Sequence, residues 1–127
     1  MTDWTADQLS RIGDADELHV QSRRGDGTLN GARVVWVVRD GDELYVRSVN
    51  GRDSAWFRGV QHRHAGHVQA GGVASDVAFT EAGGATDAAL EDRLDAAYRS
   101  KYSYSPPAVA RITSPAARTA TLKIAPA

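Results

Sequence analysis

The sequence predicts an α+β protein built on an antiparallel β-barrel of about six strands with two or three helices. Apolar and polar residues alternate over several short segments, which is the period of a strand. Neighbouring segments are joined by hairpin-type turns at Asp40-Gly41 and Gly71-Gly72. Because strands joined by hairpins pair antiparallel, the pattern favours a barrel or a curved sheet over a doubly wound parallel fold.

The first half of the chain predicts one short helix followed by three strands. Thr5-Ala-Asp-Gln8 matches the capping box of a helix ending near Gly13, and Trp4 is placed to anchor that helix to the core. We predict strands over Glu17–Ser22, Val34–Val38 and Glu43–Val49. The middle strand is apolar on both faces, which predicts a buried central position in the sheet.

The second half predicts a helix, a hairpin, a second helix and a final strand. We expect the first of these helices from Asp53 to about His64 and the hairpin strands at His67–Ala70 and Val73–Thr80. We expect the second helix to begin after Thr86 as its cap and the final strand to span Thr119–Ile124. In the second helix Leu90, Leu94 and Tyr98 recur at helical spacing, so the acidic residues Glu91 and Asp95 are expected on its solvent face. Ser105-Pro-Pro107 is expected to end this region.

Size and composition bound the function classes. The 127 residues, 42% of them hydrophobic, fit a single domain over 1–127. A net charge of −1 gives no electrostatic reason to expect nucleic acid or a membrane surface as partner, and no apolar run approaches the roughly 20 residues of a membrane helix. The absence of cysteine excludes disulfides, thiolate metal sites and cysteine nucleophiles. A cytoplasmic protein is the expectation.

The segment from Leu44 to Arg58 is the best candidate for a binding site. It predicts a strand that passes through the turn Asn50-Gly51 into a helix capped by Asp53 or Ser54. The free N–H groups and the positive dipole end of that helix would lie beside Arg47 and Arg52, an arrangement that suits phosphate. The alternative is a solvated strand end followed by an ordinary helix cap.

Two other clusters allow a functional and a structural interpretation. His62, His64 and His67 suggest a metal site, but helical side chains two residues apart point about 200° from each other, which favours a solvated helix end. Arg23 and Arg24 lie in a glycine-containing loop and could contact a phosphate or simply face solvent. No metal site is predicted, and no catalytic triad or carboxylate pair is apparent.

Several segments together resemble the bacterial family known as domain of unknown function 2255. They are Trp4, Ala15-Asp16-Glu17-Leu18, Leu44–Phe57, Ala70-Gly-Gly72 and Asp95-Ala-Ala-Tyr-Arg-Ser-Lys-Tyr102. The order of elements also resembles the flavin-binding split-barrel superfamily, especially its deazaflavin-dependent nitroreductase branch. There a loop like Arg23-Arg-Gly-Asp-Gly27 precedes a strand like Asp40-Gly-Asp-Glu-Leu-Tyr-Val46, a glycine turn and a helix start like Ser54-Ala-Trp-Phe57.

This resemblance implies a split β-barrel that binds FMN or a deazaflavin coenzyme by its phosphate. The residues it marks for cofactor binding are Arg47, Ser48, Asn50, Gly51, Arg52, Ser54, Ala55 and Trp56. It implies a homodimer and an oxidoreductase that transfers hydride to a small acceptor. The superfamily's tyrosine is Phe57 here, and its His-Asn pair is Arg58-Gly59, so no catalytic residue is carried over. A cofactor-less barrel that binds a small ligand or a protein is the alternative, and the sequence assigns no role to Lys101 or Tyr102.

Overall fold

The computed structural model describes residues 3–83 and 87–127, and within these ranges it contains seven strands and five α-helices. The helices are α1 (Ala6–Gly13), α2 (Ala55–Arg63), α3 (Ala88–Lys101), α4 (Pro106–Ile112) and α5 (Pro115–Arg118). The strands are β1 (Leu18–Ser22), β2 (Arg33–Val35), β3 (Val37–Asp40), β4 (Glu43–Arg47), β5 (Ala65–Ala70), β6 (Val73–Glu81) and β7 (Thr121–Pro126). A short 3-10 turn spans Gly51–Asp53.

All seven strands belong to one antiparallel sheet in the order β2-β1-β5-β6-β7-β4-β3. The two edge strands, β2 and β3, are separated along the chain by Trp36 alone. The sheet must therefore curl until its edges meet at this residue, and the result is a nearly closed barrel with a seam at Trp36. The predicted α+β antiparallel split barrel is confirmed, but the described residues form seven strands and five α-helices where the sequence predicted about six strands and two or three helices.

The Val34–Val38 segment differs from its prediction as a single central strand. It forms the last part of β2 and the first part of β3, which occupy opposite edges of the sheet. Val37 and Val38 are buried, whereas Val34 is 51% exposed. Apolar residues on both faces are equally compatible with a central strand and with a segment that crosses a barrel seam. The structure decides between them, because β2 pairs with β1 on one side of Trp36 and β3 pairs with β4 on the other.

Two apolar clusters cover the two faces of the sheet. The barrel interior holds Leu44, Val46, Leu122 and Ile124, closed at one end by Trp4, whose indole donates to the Ile124 carbonyl at 2.9 Å. The outer face of β3 and β4 packs under α3 and α4 through a second cluster: Val38, Tyr45, Leu90, Leu94, Tyr98, Tyr102, Val109 and Ile112. Strand β4 is thus buried on both faces, which places the residues that follow it close to three helices.

Several local predictions hold and others need correction. Thr5 and Gln8 form the capping box of α1, and Gly71 and Gly72 both adopt the positive φ of the β5–β6 hairpin. Thr86 lies outside the described residues, and Asp87 caps α3 by accepting the Leu90 N–H at 3.1 Å. Ser105-Pro106 begins α4 instead of ending a region, because proline is well suited to the first helical position, where it has no hydrogen bond to lose.

Lys101 and Tyr102 occupy the outer edge of β3 at the seam. The Lys101 Nζ donates to the Val37 carbonyl at 2.6 Å, and the Tyr102 hydroxyl accepts the Val37 N–H at 3.3 Å and donates to the Asp16 carbonyl at 2.8 Å. Tyr98 donates to the Trp36 carbonyl at 3.4 Å. These side chains take the place of a further strand, which explains why the barrel stays split at this edge.

We expect the free energy of unfolding to rise with pH between about 8 and 10 because of Lys101. Burial lowers the pKa of its ammonium group to about 8. The unfolded chain, with an ordinary lysine pKa, then binds more protons across this range, so stability increases as pH rises. Urea denaturation at several pH values measures this slope, and Lys101→Met should flatten it; an unchanged slope in the variant would contradict the prediction. Above about pH 10 the raised pKa values of buried Tyr98 and Tyr102 reverse the trend.

Candidate functional site

A cavity of about 530 Å³ lies at the seam, where the curled sheet leaves a gap beside β2. It is enclosed by β2 with Trp36, by the end of β4, by the beginning of α2 and by α4. The lining residues are Arg33, Val34, Val35, Trp36, Arg47, Ser48, Val49, Asn50, Ser54, Ala55, Trp56, Ala108, Arg111 and Ile112. This volume falls within the range of about 300–1,000 Å³ that small-molecule sites occupy.

The corner between β4 and α2 forms one wall of this cavity. Residues 48–51 make a tight turn in which the Gly51 N–H donates to the Ser48 carbonyl at 3.0 Å. Gly51 has φ +76°, and a Cβ there would approach Ala116 of α5 at 3.4 Å, so glycine suits both the turn and its packing. The hydroxyls of Ser48 and Ser54 lie 2.7 Å apart, which joins the end of the strand to the first residue before the helix.

Six of the eight residues predicted to bind cofactor line this single cavity, namely Arg47, Ser48, Asn50, Ser54, Ala55 and Trp56. The other two, Gly51 and Arg52, do not. Asp53 lies in the 3-10 turn, and Ser54 occupies the N-cap position of α2 with its hydroxyl directed to Ser48. The first-turn N–H groups of α2, which lack acceptors within the helix, therefore start at the cavity wall.

Arg47 is fully buried, and protein groups accept from each of its guanidinium nitrogens. It donates to Asp95 Oδ1 at 2.6 Å, to Glu91 Oε1 at 3.0 Å and to Thr121 Oγ1 at 3.2 Å. The Ile112 and Glu91 carbonyls accept the remaining two N–H groups. The expectation that Glu91 and Asp95 face solvent is wrong, because both pack inward against this charge. Helical spacing does not reveal a buried carboxylate whose partner lies more than 40 residues away.

Arg52 lies outside the cavity on the far side of the 3-10 turn. Its guanidinium is 2.7 Å from Glu81 Oε1, donates to the Thr119 carbonyl at 2.7 Å and lies over the Phe57 ring. The hydrogen bond from Arg52 lowers the pKa of the Glu81 carboxyl. The structure thus directs the charge of Arg52 toward β6 and α5.

Of the residues that the structure describes, three arginines and no carboxylate line the cavity. Two of these arginines, Arg33 and Arg111, were not predicted from the sequence. Arg111 extends from the last turn of α4, and among residues 3–83 and 87–127 no side-chain partner of it is found. Arg33, on β2, donates to the neighbouring Ala32 carbonyl at 3.2 Å. Ser105-Pro106 is the signal that could have predicted the helix carrying Arg111.

Two half-buried indoles, Trp36 and Trp56, also line the cavity. Trp36 stacks on Tyr102 with ring centroids 3.8 Å apart and an interplanar angle of 5°. Trp56 meets Phe57 edge to face at 6.1 Å. Phe57 itself is fully buried in the barrel interior, so of the two aromatic residues at the start of α2 only Trp56 is available to a ligand.

A second, more open depression of about 410 Å³ shares Ala55 with the cavity. Arg23, Arg24, Arg58 and His62 line it, together with Gly25, Asn30 and Gly59. Arg63 donates to the carbonyls of Arg24 and Gly25, which fixes the loop. Arg23 and Arg24 thus line a solvent-open basic depression next to the start of α2, a position compatible with both interpretations of this loop.

The histidine cluster spreads over separate elements. His62 lies on α2, His64 ends that helix with φ 57°, and His67 on β5 contacts Asp76 Oδ1 at 2.9 Å. Over the described ranges no three histidine or carboxylate side chains come together in a way that could hold a metal ion. Within the same ranges, no helix has the length and apolar character needed to cross a membrane.

Comparison with known proteins gives a family and a fold. The sequence model of a family described as "Uncharacterized protein conserved in bacteria (DUF2255)" matches residues 8–124. No curated protein matches the sequence. A solved structure described as an F420 reductase resembles this one with a TM-score of 0.57 and 15% sequence identity, over 93% of this chain and 90% of the other. At this identity the likeness establishes the split-barrel fold.

We expect Arg47→Met to lower the free energy of unfolding by about 3–5 kcal/mol, because it removes the buried cation that pairs with Glu91 and Asp95. Arg39→Met is the matched control, since Arg39 is a partly exposed arginine whose nearest carboxylate, on Asp42, is 3.9 Å away. Its loss should cost less than about 1 kcal/mol. Urea denaturation of both variants measures the difference, and equal effects would show that the Arg47 cluster contributes no more than a surface pair.

Proposed function

The chain belongs to the DUF2255 family, and on that premise we propose that it binds a phosphorylated flavin or deazaflavin in the cavity at the barrel seam. The observation that carries the proposal is the lining itself: two indoles, three arginines and no carboxylate around about 530 Å³ beside a helix N-terminus. The fold shared with an F420 reductase supports a deazaflavin-type ligand. The phosphorylated flavin FMN is the alternative ligand in this proposal.

The residues divide into those that suit the ring and those that suit the phosphate. Trp36 and Trp56 offer flat apolar surfaces to a planar ring. Arg111, Arg33 and the first-turn N–H groups of α2 offer donors to an anion. Ser48, Asn50 and Ser54 add polar groups at the corner, and Ala55 leaves room beside the helix start.

Arg47 has a different role in this proposal from the one its sequence position suggested. Its donors are engaged by protein acceptors, so we assign it to holding the corner and α4 in place. Arg52 and Gly51 shape the turn from outside the cavity. The basic depression around Arg23, Arg24 and Arg58 lies where a charged extension of the ligand could pass beyond Ala55.

We further propose that the protein is an oxidoreductase acting on a small acceptor. When bound, a flavin or deazaflavin supplies the hydride transfer, and the protein contributes binding, orientation and exclusion of water. The chain's own residues favour a reaction that needs no protein acid or base, because no carboxylate or histidine of the described ranges lines the cavity. The same feature is compatible with the alternative, a barrel that binds a ligand without catalysis.

Arg111→Ala should weaken FMN binding about ten- to a hundredfold and leave riboflavin binding unchanged. A charge-assisted hydrogen bond contributes about 1.5–3 kcal/mol, and riboflavin lacks the phosphate that receives it. Arg52→Ala is the matched control, an exposed arginine near the same turn that lies outside the cavity, and it should change neither affinity. Titration calorimetry of the unmodified protein and both variants with FMN and with riboflavin measures all six affinities.

The other outcomes of this experiment are informative. If Arg52→Ala weakens FMN binding selectively and Arg111→Ala does not, the phosphate lies at the 3-10 turn, as the sequence alone suggested. If the unmodified protein binds neither FMN nor a deazaflavin at millimolar concentration, the cofactor proposal fails and the binding-module alternative replaces it.

We also expect the protein to be a homodimer. Val34 and Val49, exposed by 51% and 42%, border the cavity, and such apolar residues at the edge of a small barrel favour contact with a second copy. Light scattering at micromolar concentration should give about twice the monomer mass of 13.6 kDa. Replacing both valines by lysine should restore the monomer mass, with Lys123→Glu on β7 as a control outside this patch.

A further inference from the structure

We propose that Trp36, Tyr102 and Tyr104 form a one-electron relay that carries an oxidising equivalent from the seam cavity to the protein surface. Trp36 lines the cavity and is half-buried. Tyr102 is fully buried behind it, and Tyr104 is 65% exposed. The three residues therefore cross the wall of the cavity from inside to outside, and the inference does not depend on which ligand the cavity holds.

The distances within this series are short. The Trp36 and Tyr102 rings are stacked almost parallel, with centroids 3.8 Å apart, and the Tyr102 and Tyr104 centroids are 6.0 Å apart. Direct ring-to-ring contact of this kind places neighbouring π-systems close enough to exchange an electron. Indole and phenol are also the aromatic side chains that are oxidised most readily.

The net reaction is balanced with a single oxidant. An oxidising radical in the cavity takes one electron from Trp36 and becomes its anion. The electron is replaced through the Tyr102 ring from Tyr104, so the Trp36 indole returns to its original state and keeps its proton. Tyr104 is left as a neutral phenoxyl radical, and its phenolic proton passes to water.

Proton acceptors determine where the relay ends. Among the described residues, the Tyr102 hydroxyl forms hydrogen bonds with the backbone groups of Asp16 and Val37, which are poor bases. The Lys101 ammonium lies 5.1 Å from the Tyr102 ring. Positive charge on Tyr102 is therefore disfavoured, and this ring acts as a bridge. Tyr98, 6.2 Å from Tyr102, is buried and hydrogen-bonded to a carbonyl, so it cannot release a proton to solvent. Tyr104 is in contact with water and can.

Trp56 provides an internal comparison. It lines the same cavity, but its ring contact is with Phe57, at 6.1 Å, and phenylalanine has no readily oxidised phenol. Oxidation of Trp56 should therefore remain on that residue. The two indoles of the cavity thus differ in whether a neighbouring ring can donate an electron to the oxidised indole.

Pulse radiolysis of the full chain with azidyl radicals, which oxidise indole preferentially at neutral pH, tests the relay without any bound cofactor. We expect the indolyl absorption to decay while the phenoxyl absorption rises, at a rate that does not depend on protein concentration. Tyr104→Phe and Trp36→Phe should each abolish this intramolecular rise, and both keep an aromatic ring in the stack. Trp56→Phe should retain it.

Two results would overturn the proposal. One is a phenoxyl rise that persists in Tyr104→Phe or in Trp36→Phe, and the other is its loss in Trp56→Phe. Persistence in Tyr104→Phe would show that the phenoxyl radical forms on another tyrosine. Persistence in Trp36→Phe, or loss in Trp56→Phe, would show that Trp36 is not the source of the oxidising equivalent. Circular dichroism of each variant confirms that the comparison is made between folded proteins.

Discussion

The buried charge of Arg47 is the interaction on which the rest of this structure depends. A guanidinium removed from water requires acceptors on every side, and it obtains them from α3, α4 and β7. Asp95 is shared with Arg118 of α5, at 3.3 Å, which extends the cluster to the helix that packs under Gly51. One side chain thereby fixes three helices against the end of β4, the strand that leads into the binding corner.

The seam of the barrel is the second constraint on this structure, and it follows from which groups accept and donate the backbone hydrogen bonds at the edge of the sheet. The Val37 backbone groups point away from β4 and are taken up by Lys101 and Tyr102, so β3 cannot pair with β2. The space left beside β2 becomes the cavity, bounded by the corner that Arg47 holds. A closed barrel of the same strands would contain no such opening. The residues at the end of α3 are thus part of the reason that the cavity exists.

The charge distribution of the cavity depends on this arrangement. Of its three arginines, Arg47 is paired with two carboxylates, whereas no carboxylate in the described part of the chain pairs with Arg111 or Arg33. The overall charge of −1 gives no indication of this local excess. Clustered cations raise the electrostatic potential inside a cavity even when the net charge of the protein is close to zero. The neighbouring depression around Arg58 is also lined by positively charged side chains.

The sequence by itself determined the features that depend on near neighbours along the chain. The capping box at Thr5, the hairpin at Gly71-Gly72 and the corner at Asn50–Ser54 are set by local backbone preferences and were predictable, as was the antiparallel barrel built from such hairpins. The tertiary structure alone decided which arginine is buried, which acid faces inward and which segment forms the seam. Arg47 meets Glu91 and Val37 meets Lys101 across more than 40 residues, and whether such a pair is formed depends on how the elements pack. Periodicity reports which residues are apolar, whereas a buried ion pair is recognised only when both partners are seen in place.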